Sequence, residues 1–180
     1  SETARAALDF MLAFPLPEDS DITLVSVIEK DKLAHHDAGG LSEEQSNALR
    51  DTEDAVTEAC DRMLSEEAER VRDAGWAGRK LIRSGHPADE IVRAAAELEA
   101  DMVVVGSHGL TGIKRYLLGS VSSTVLEYAH CSVMIVKGTH DGGAKGDRLR
   151  ILLAYDDSES SKHAVDFCAH LPLGDHVEIT

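Results

Sequence analysis

One stretch of this chain occurs twice, which limits how the rest can be organised. Residues 1–16 align with residues 158–173 at seven identical positions of sixteen, where unrelated sequences of average composition would share about one. Ser1, Glu2, Ala7, Asp9 and Phe10 lie over Ser158, Glu159, Ala164, Asp166 and Phe167, and Pro15-Leu16 lies over Pro172-Leu173. The chain's 180 residues would suit one generous core, but a duplicated element argues for two units. The second copy follows Leu149-Arg150-Ile151-Leu152-Leu153-Ala154-Tyr155-Asp156-Asp157, an apolar run ending in acidic turn residues. That run reads as a strand feeding a helix capped by Ser158. The first copy has no such run before it in the sequence. The expected organisation is therefore a domain over residues 1–137 without its opening strand, a Gly-rich polar linker at 138–148, and the start of a second domain at 149–180. Residues upstream of Ser1 are the first expected source of the missing strand. The alternatives are residues 151–155 of the same chain and a strand swapped in from another copy.

Hydrophobic periodicity assigns the remaining elements. Residues 1–14 form an amphipathic helix with Ala4, Ala7, Leu8, Met11 and Leu12 on one face and Ser1 as its cap. The run 21–28 is a strand. Residues 42–74, with eleven acids and four arginines, form a solvated outer helix ended by Gly75. A short strand at 77–83 precedes a helix opened by Pro87 that runs to about residue 98. Residues 101–105 form an apolar strand of the parallel-sheet type. A helix from Gly119 to Tyr128 and a strand over 132–136 follow. Helices alternating with short apolar strands imply a doubly wound α/β fold with a parallel sheet, whose ligands bind at the carboxyl ends of the strands.

Composition narrows the function. The formal charge is -15, with 33 acidic against 18 basic residues, so nucleic acid is not an expected partner. Acids far outnumber lysines, a bias resembling proteins of high-salt cytoplasms. No apolar run approaches the roughly 18 residues of a membrane span, and no signal-like n-region is present. A cytoplasmic protein is expected. Cys60, Cys131 and Cys168 form no C-x-x-C pair and read as buried thiols. His35 and His36 lack a third metal ligand at a convincing spacing and read as loop residues.

The chemically informative segment starts with Val105-Gly106-Ser107-His108-Gly109 at the end of the most apolar strand. It ends with Gly119-Ser120-Val121-Ser122-Ser123 at a helix start. Glycines permit close backbone approach, and first-turn amides with serine hydroxyls offer donors to an anion. The pattern is neither a Walker loop nor a G-x-G-x-x-G dinucleotide fingerprint. His108 reads as a residue shaping the turn, and Lys114 and Arg115 as a solvated face.

The spacing Gly106-x2-Gly109-x9-Gly119-Ser120 resembles the signature of ATP-binding universal stress proteins, the UspA family. Val104–Gly109, Leu117–Ser122 and the closing run Cys131-Ser132-Val133-Met134-Ile135-Val136 are similar to that family as well. The resemblance implies a Rossmann-like, five-stranded fold of the adenine nucleotide alpha hydrolase type. It places the backbone of Val27 at adenine, and Val105 and Gly106 along adenine and ribose. Gly109, Gly119, Ser120, Val121 and Ser122 match the positions that hold ribose and phosphates. The family's aspartate at the end of the first strand has one candidate in this chain, Asp156. The implied function is regulatory binding of ATP, or of AMP or ADP, in a stress response. The alternative is a slow ATPase or autophosphorylating protein using Mg²⁺, although no Walker-type lysine or evident general base accompanies the motif. A third reading is an interaction module with an empty site. Pairing as a homodimer or between tandem domains, through the strand 132–136, is also implied.

Overall fold

The computed structural model describes residues 1–29, 42–107, 118–137, 149–174 and 177–180. His35, His36, His108, Gly109, Lys114, Arg115 and the 138–148 linker lie outside the described residues. The helices are α1 (Glu2–Ala13), α2 (Glu43–Asp73), α3 (Pro87–Glu97), α4 (Ser120–Tyr128) and α5 (Glu159–His170). The strands are β1 (Asp21–Ile28), β2 (Ala77–Ser84), β3 (Met102–Gly106), β4 (Ser132–Val136), β5 (Leu149–Ile151) and β6 (Val177–Ile179). These elements agree with the periodicity reading to within a residue or two, except that the apolar run after residue 148 is a strand for only three residues.

The sequence repeat is also a structural repeat. The Ser1 hydroxyl accepts from the Ala4 N–H at 3.2 Å, and the Ser158 hydroxyl accepts from the Ser161 N–H at 3.2 Å. Both helices have twelve residues, and each ends with a cap N–H donating back to a helix carbonyl, Phe14 to Met11 and Leu171 to Cys168. One detail of the expected apolar face differs. Ala4 is exposed and Ala6 is buried with Ala7, Leu8 and Met11.

Strand pairing among the described residues is parallel throughout, as an α/β fold requires, and falls into three separate pairs. β1 pairs with β2, β3 with β4, and β5 with β6. No ladder joins β1 to β3, because each presents an edge that a further strand would have to bridge. Helices connect the two pairs instead. Leu8 and Met11 of α1 pack with Val71 of α2, and Ile22 and Leu24 of β1 and Val104 of β3 close around them. α3 contacts β1 and β2 and packs along α4.

The acidic helix α2 is solvated along its first half and anchored along its second. Leu64, Ala68 and Val71 are buried at helical spacing. They rest where β2 offers Gly78, whose added Cβ would lie 2.7 Å from the Ala68 carbonyl oxygen. An ion-pair network then ties α2 to α1. Glu67 accepts from Arg5 at 2.8 Å and from Arg70 at 2.6 Å, while Arg70 also pairs with Asp9. Burial works against the charge on Glu67, but the hydrogen bonds from Arg70 and Arg5 outweigh it and hold the carboxyl below its ordinary range. A depressed carboxylate stabilises the fold above its ordinary value of about 4.5, and that contribution fades as the pH falls through the lower folded value. In thermal melts from pH 7 to pH 3, Glu67→Gln is expected to start about 1 kcal/mol less stable, a figure discounted for the exposed arginines. It should also lose stability less steeply than the parent below about pH 4.5.

Candidate functional site

The candidate site lies at the carboxyl end of β3, where the chain leaves the strand at Gly106 and returns at Gly119 to begin α4. α1 starts beside Gly106 and leads back toward the amino end of β1, so β1 and β3 point the same way. Val27 is therefore the next-to-last residue of a strand that ends on the same side as Val105 and Gly106. The Ile28 carbonyl is engaged by the Gly85 N–H at 3.0 Å, which fixes the end of β1 against β2.

A short latch joins β3 to α4. The Ser107 N–H donates to the Val136 carbonyl at 2.9 Å, extending the β3–β4 ladder by one residue. The Ser107 carbonyl accepts from the Gly119 N–H at 2.8 Å and from the Ser122 hydroxyl at 3.2 Å. The Ser122 hydroxyl also lies 3.0 Å from the Gly119 carbonyl. Ser107 is 2% exposed and Ser122 is 3% exposed, so these contacts are shielded from water. Buried hydroxyls must find partners inside the protein, and Ser122 has done so.

The motif serines consequently differ in what they can offer. Ser120 and Ser123 are exposed at the first turn of α4 among the described residues. The hydroxyl of Ser122 faces inward, contrary to the sequence reading that grouped all three as outward donors. What Ser122 can present is its N–H, which with those of Ser120 and Val121 opens α4 without an intrahelical acceptor. Gly119 adopts the extended cap conformation, with no side chain to occupy these donors. Exposed hydroxyls beside first-turn amides that have no intrahelical acceptor suit the anionic end of a nucleotide, so the described residues fit a phosphate.

Gly106 has a packing reason that the sequence did not reveal. A Cβ there would lie 2.6 Å from the Thr3 carbonyl oxygen and 2.9 Å from its Cβ. The first turn of α1 thus occupies the space beside this glycine. No local signal links Thr3 to Gly106, because the contact is between distant parts of the chain.

Asp156 stands apart from this cluster, on the turn between β5 and α5. Its carboxylate accepts from the Ser158 N–H at 3.1 Å. Hydrogen bonding from Ser158 lowers its pKa, as expected for a charged group supporting a helix start. An open cleft of about 880 Å³ lies at the opposite, amino end of β3 and β4, with Asp101, His130, Cys131, Ser160 and His163 in its walls. Its carboxylates disfavour phosphate. Cys131 is held above the ordinary thiol range by burial and by Asp101, so it is not an activated nucleophile. All three cysteines are partly rather than fully buried. Among the described residues, no cluster of His, Cys, Asp or Glu could hold a metal ion, and no helix is long and apolar enough to cross a membrane.

Residues 1–137 match the profile of the universal stress protein family. The chain belongs to that family. Universal stress protein MJ0577 of Methanocaldococcus jannaschii is 28% identical over 144 residues, covering 76% of this chain and 89% of that protein. YxiE of Bacillus subtilis is 25% identical over 137 residues, covering 76% of this chain and 93% of that protein. Among solved structures, that of MJ0577 superposes with a TM-score of 0.66 over 77% of this chain and 90% of its own. A universal stress protein from Archaeoglobus fulgidus matches with a TM-score of 0.63 at 25% identity, over 93% of this chain and 56% of that one. These neighbours confirm the Rossmann-like α/β fold. The latter match reaches beyond residue 137 into the repeated unit.

Three substitutions separate packing from ligand contact in this universal stress protein. Gly106→Ala forces its methyl group against the backbone of Thr3 and is expected to cost roughly 1–3 kcal/mol in denaturant melts without any ligand. Ser122→Ala is expected to cost about 1 kcal/mol in the same melts. Ser120→Ala, at an exposed position, should stay within about 0.5 kcal/mol of the parent.

Proposed function

We propose that this universal stress protein binds ATP, or AMP or ADP, as a regulatory ligand at the start of α4. The observation carrying this reading is the open first turn of α4. N–H groups without an intrahelical acceptor and the exposed Ser120 and Ser123 stand beside the carboxyl end of β3, within the spacing Gly106-x2-Gly109-x9-Gly119-Ser120. In this reading Gly119, Ser120, Val121 and the N–H of Ser122 hold phosphates. Gly109 holds ribose or phosphate, and Val27, Val105 and Gly106 line adenine and ribose. Asp156 serves an equivalent role in the second unit rather than at this site. Mg²⁺ bound with the nucleotide would neutralise phosphate charge, and no cluster of His, Cys, Asp or Glu among the described residues could hold it independently.

Regulation is favoured over catalysis because the described part of the site supplies donors but no general base. The slow ATPase or autophosphorylation reading retains Ser120 as its candidate acceptor. The outer edge of β4, Ser132–Val136, is the proposed pairing edge with a second copy or a tandem domain. The match to the longer Archaeoglobus fulgidus chain supports the tandem arrangement. The protein acts in the cytoplasm and has no nucleic-acid partner, consistent with its charge of -15.

The test is to denature the purified protein, identify any released nucleotide, and titrate the nucleotide-free protein with ATP by calorimetry. Saturable binding is expected, weakened about tenfold by Ser120→Ala through loss of one charge-assisted hydrogen bond. ATP should remain intact after hours with Mg²⁺. Rapid release of ADP would favour the enzyme reading, and absence of both released and added nucleotide binding would sink the proposal.

A further inference from the structure

A buried carboxylate stands at the turn that fixes the end of β1, and the nucleotide contacts proposed above leave it unused. Glu90, in the first turn of α3, is 8% exposed. Burying a carboxylate is costly unless it is paired, and an apolar side chain of similar size often serves stability equally well. Glu90 is paired with Arg93, whose Nη1 donates to Oε1 at 2.8 Å from a largely exposed side chain. The start of α3 favours the same negative charge.

What this carboxylate covers is Gly85. A Cβ on Gly85 would lie 3.0 Å from Oε1 of Glu90 and 3.1 Å from its Cγ, and the glycine has φ +152°, a conformation that other residues rarely adopt. Glu90 thus closes over the turn between β2 and α3. From that turn the Gly85 N–H donates to the Ile28 carbonyl at 3.0 Å, one residue beyond the register pair Ile28 and Ser84. Successive residues of a strand direct their backbone groups to opposite edges, so anchoring Ile28 toward β2 sets the N–H and C=O of Val27 toward the other edge. α3 contacts β1 and β2 and also packs along α4. It therefore touches both elements that the nucleotide reading assigns to one ligand, β1 to the base and α4 to the phosphates.

We propose that Glu90 is a positioning residue for base selection: its carboxylate, held by Arg93, fixes the Gly85 turn and through it the direction of the Val27 backbone, which tells adenine from guanine. The proposal rests on the reading of this site as a nucleotide site with Val27 at the base. A peptide backbone offers its N–H and C=O in a fixed order. Adenine presents an acceptor ring nitrogen beside an amino donor, whereas guanine presents a ring N–H donor beside a carbonyl acceptor. A backbone pair held in one direction suits the first and leaves like groups facing each other with the second, which is how a hydrogen-bonding site rejects a wrong ligand.

The test measures the affinities of the nucleotide-free full chain for ATP and for GTP by calorimetry, in the parent, Glu90→Ala, Glu90→Gln and Arg93→Ala. The parent should prefer ATP by about tenfold or more. Glu90→Ala is expected to cut that preference about fivefold and Arg93→Ala roughly threefold, while Glu90→Gln, which keeps an oxygen toward Arg93, should retain it within about twofold. A loss of stability alone would weaken both nucleotides together and leave their ratio unchanged. An unchanged ratio in Glu90→Ala overturns the proposal, and if that variant does not fold, an unchanged ratio in Arg93→Ala does so. A parent that binds ATP and GTP alike also overturns it, because β1 would then not read the base. In both cases nucleotide binding itself stands. A parent that binds neither nucleotide defeats the nucleotide reading, and this proposal with it.

Discussion

The packing of α1 across two separate pairs of strands is the constraint on which the first unit depends. β1–β2 and β3–β4 share no ladder among the described residues, and side chains of α1 meet both pairs. Leu8 and Met11 supply the connection by meeting α2, β1 and β3 in one cluster. Burying two such side chains is worth about 3–6 kcal/mol in total, a large share of the stability of a domain this size. The Glu67 network reinforces the same arrangement at the surface by linking Arg5 of α1 to Arg70 of α2. Any shift of α1 would therefore move the two strand pairs relative to one another.

The candidate site inherits that constraint. The first turn of α1 lies against Gly106, and Ser107 immediately beyond it ties β3 to α4 through Gly119 and Ser122. A helix start is useful to an anion only if its amides are held in a fixed direction. Here the inward hydroxyl of Ser122 anchors the turn, while Ser120 and Ser123 remain outside. Anchoring and ligand contact are thus divided among serines that the motif treats alike.

Much of the fold was legible because helices and strands declare themselves by period. The α1 cap at Ser1, the strand Asp21–Ile28, the proline at the start of α3 and the strand Ser132–Val136 all appear where local pattern places them. The misplacements also have local causes. Ala4 and Ala6 both have a helical claim to the apolar face, and only the partner strands decide which is covered. β5 is a strand for three residues, and the Leu153 N–H continues its pairing by donating to the Thr180 carbonyl.

The sequence by itself determined the duplicated element, the α/β alternation, the glycine spacing and, through these, the family. Such features are written in order along the chain and need no distant partner to be read. Tertiary structure alone decided that Gly106 makes room for Thr3 and that Ser122 turns inward while Ser120 faces out. Each depends on which residues from remote parts of the chain meet in space, and burial and hydrogen bonding are settled by that meeting rather than by local pattern.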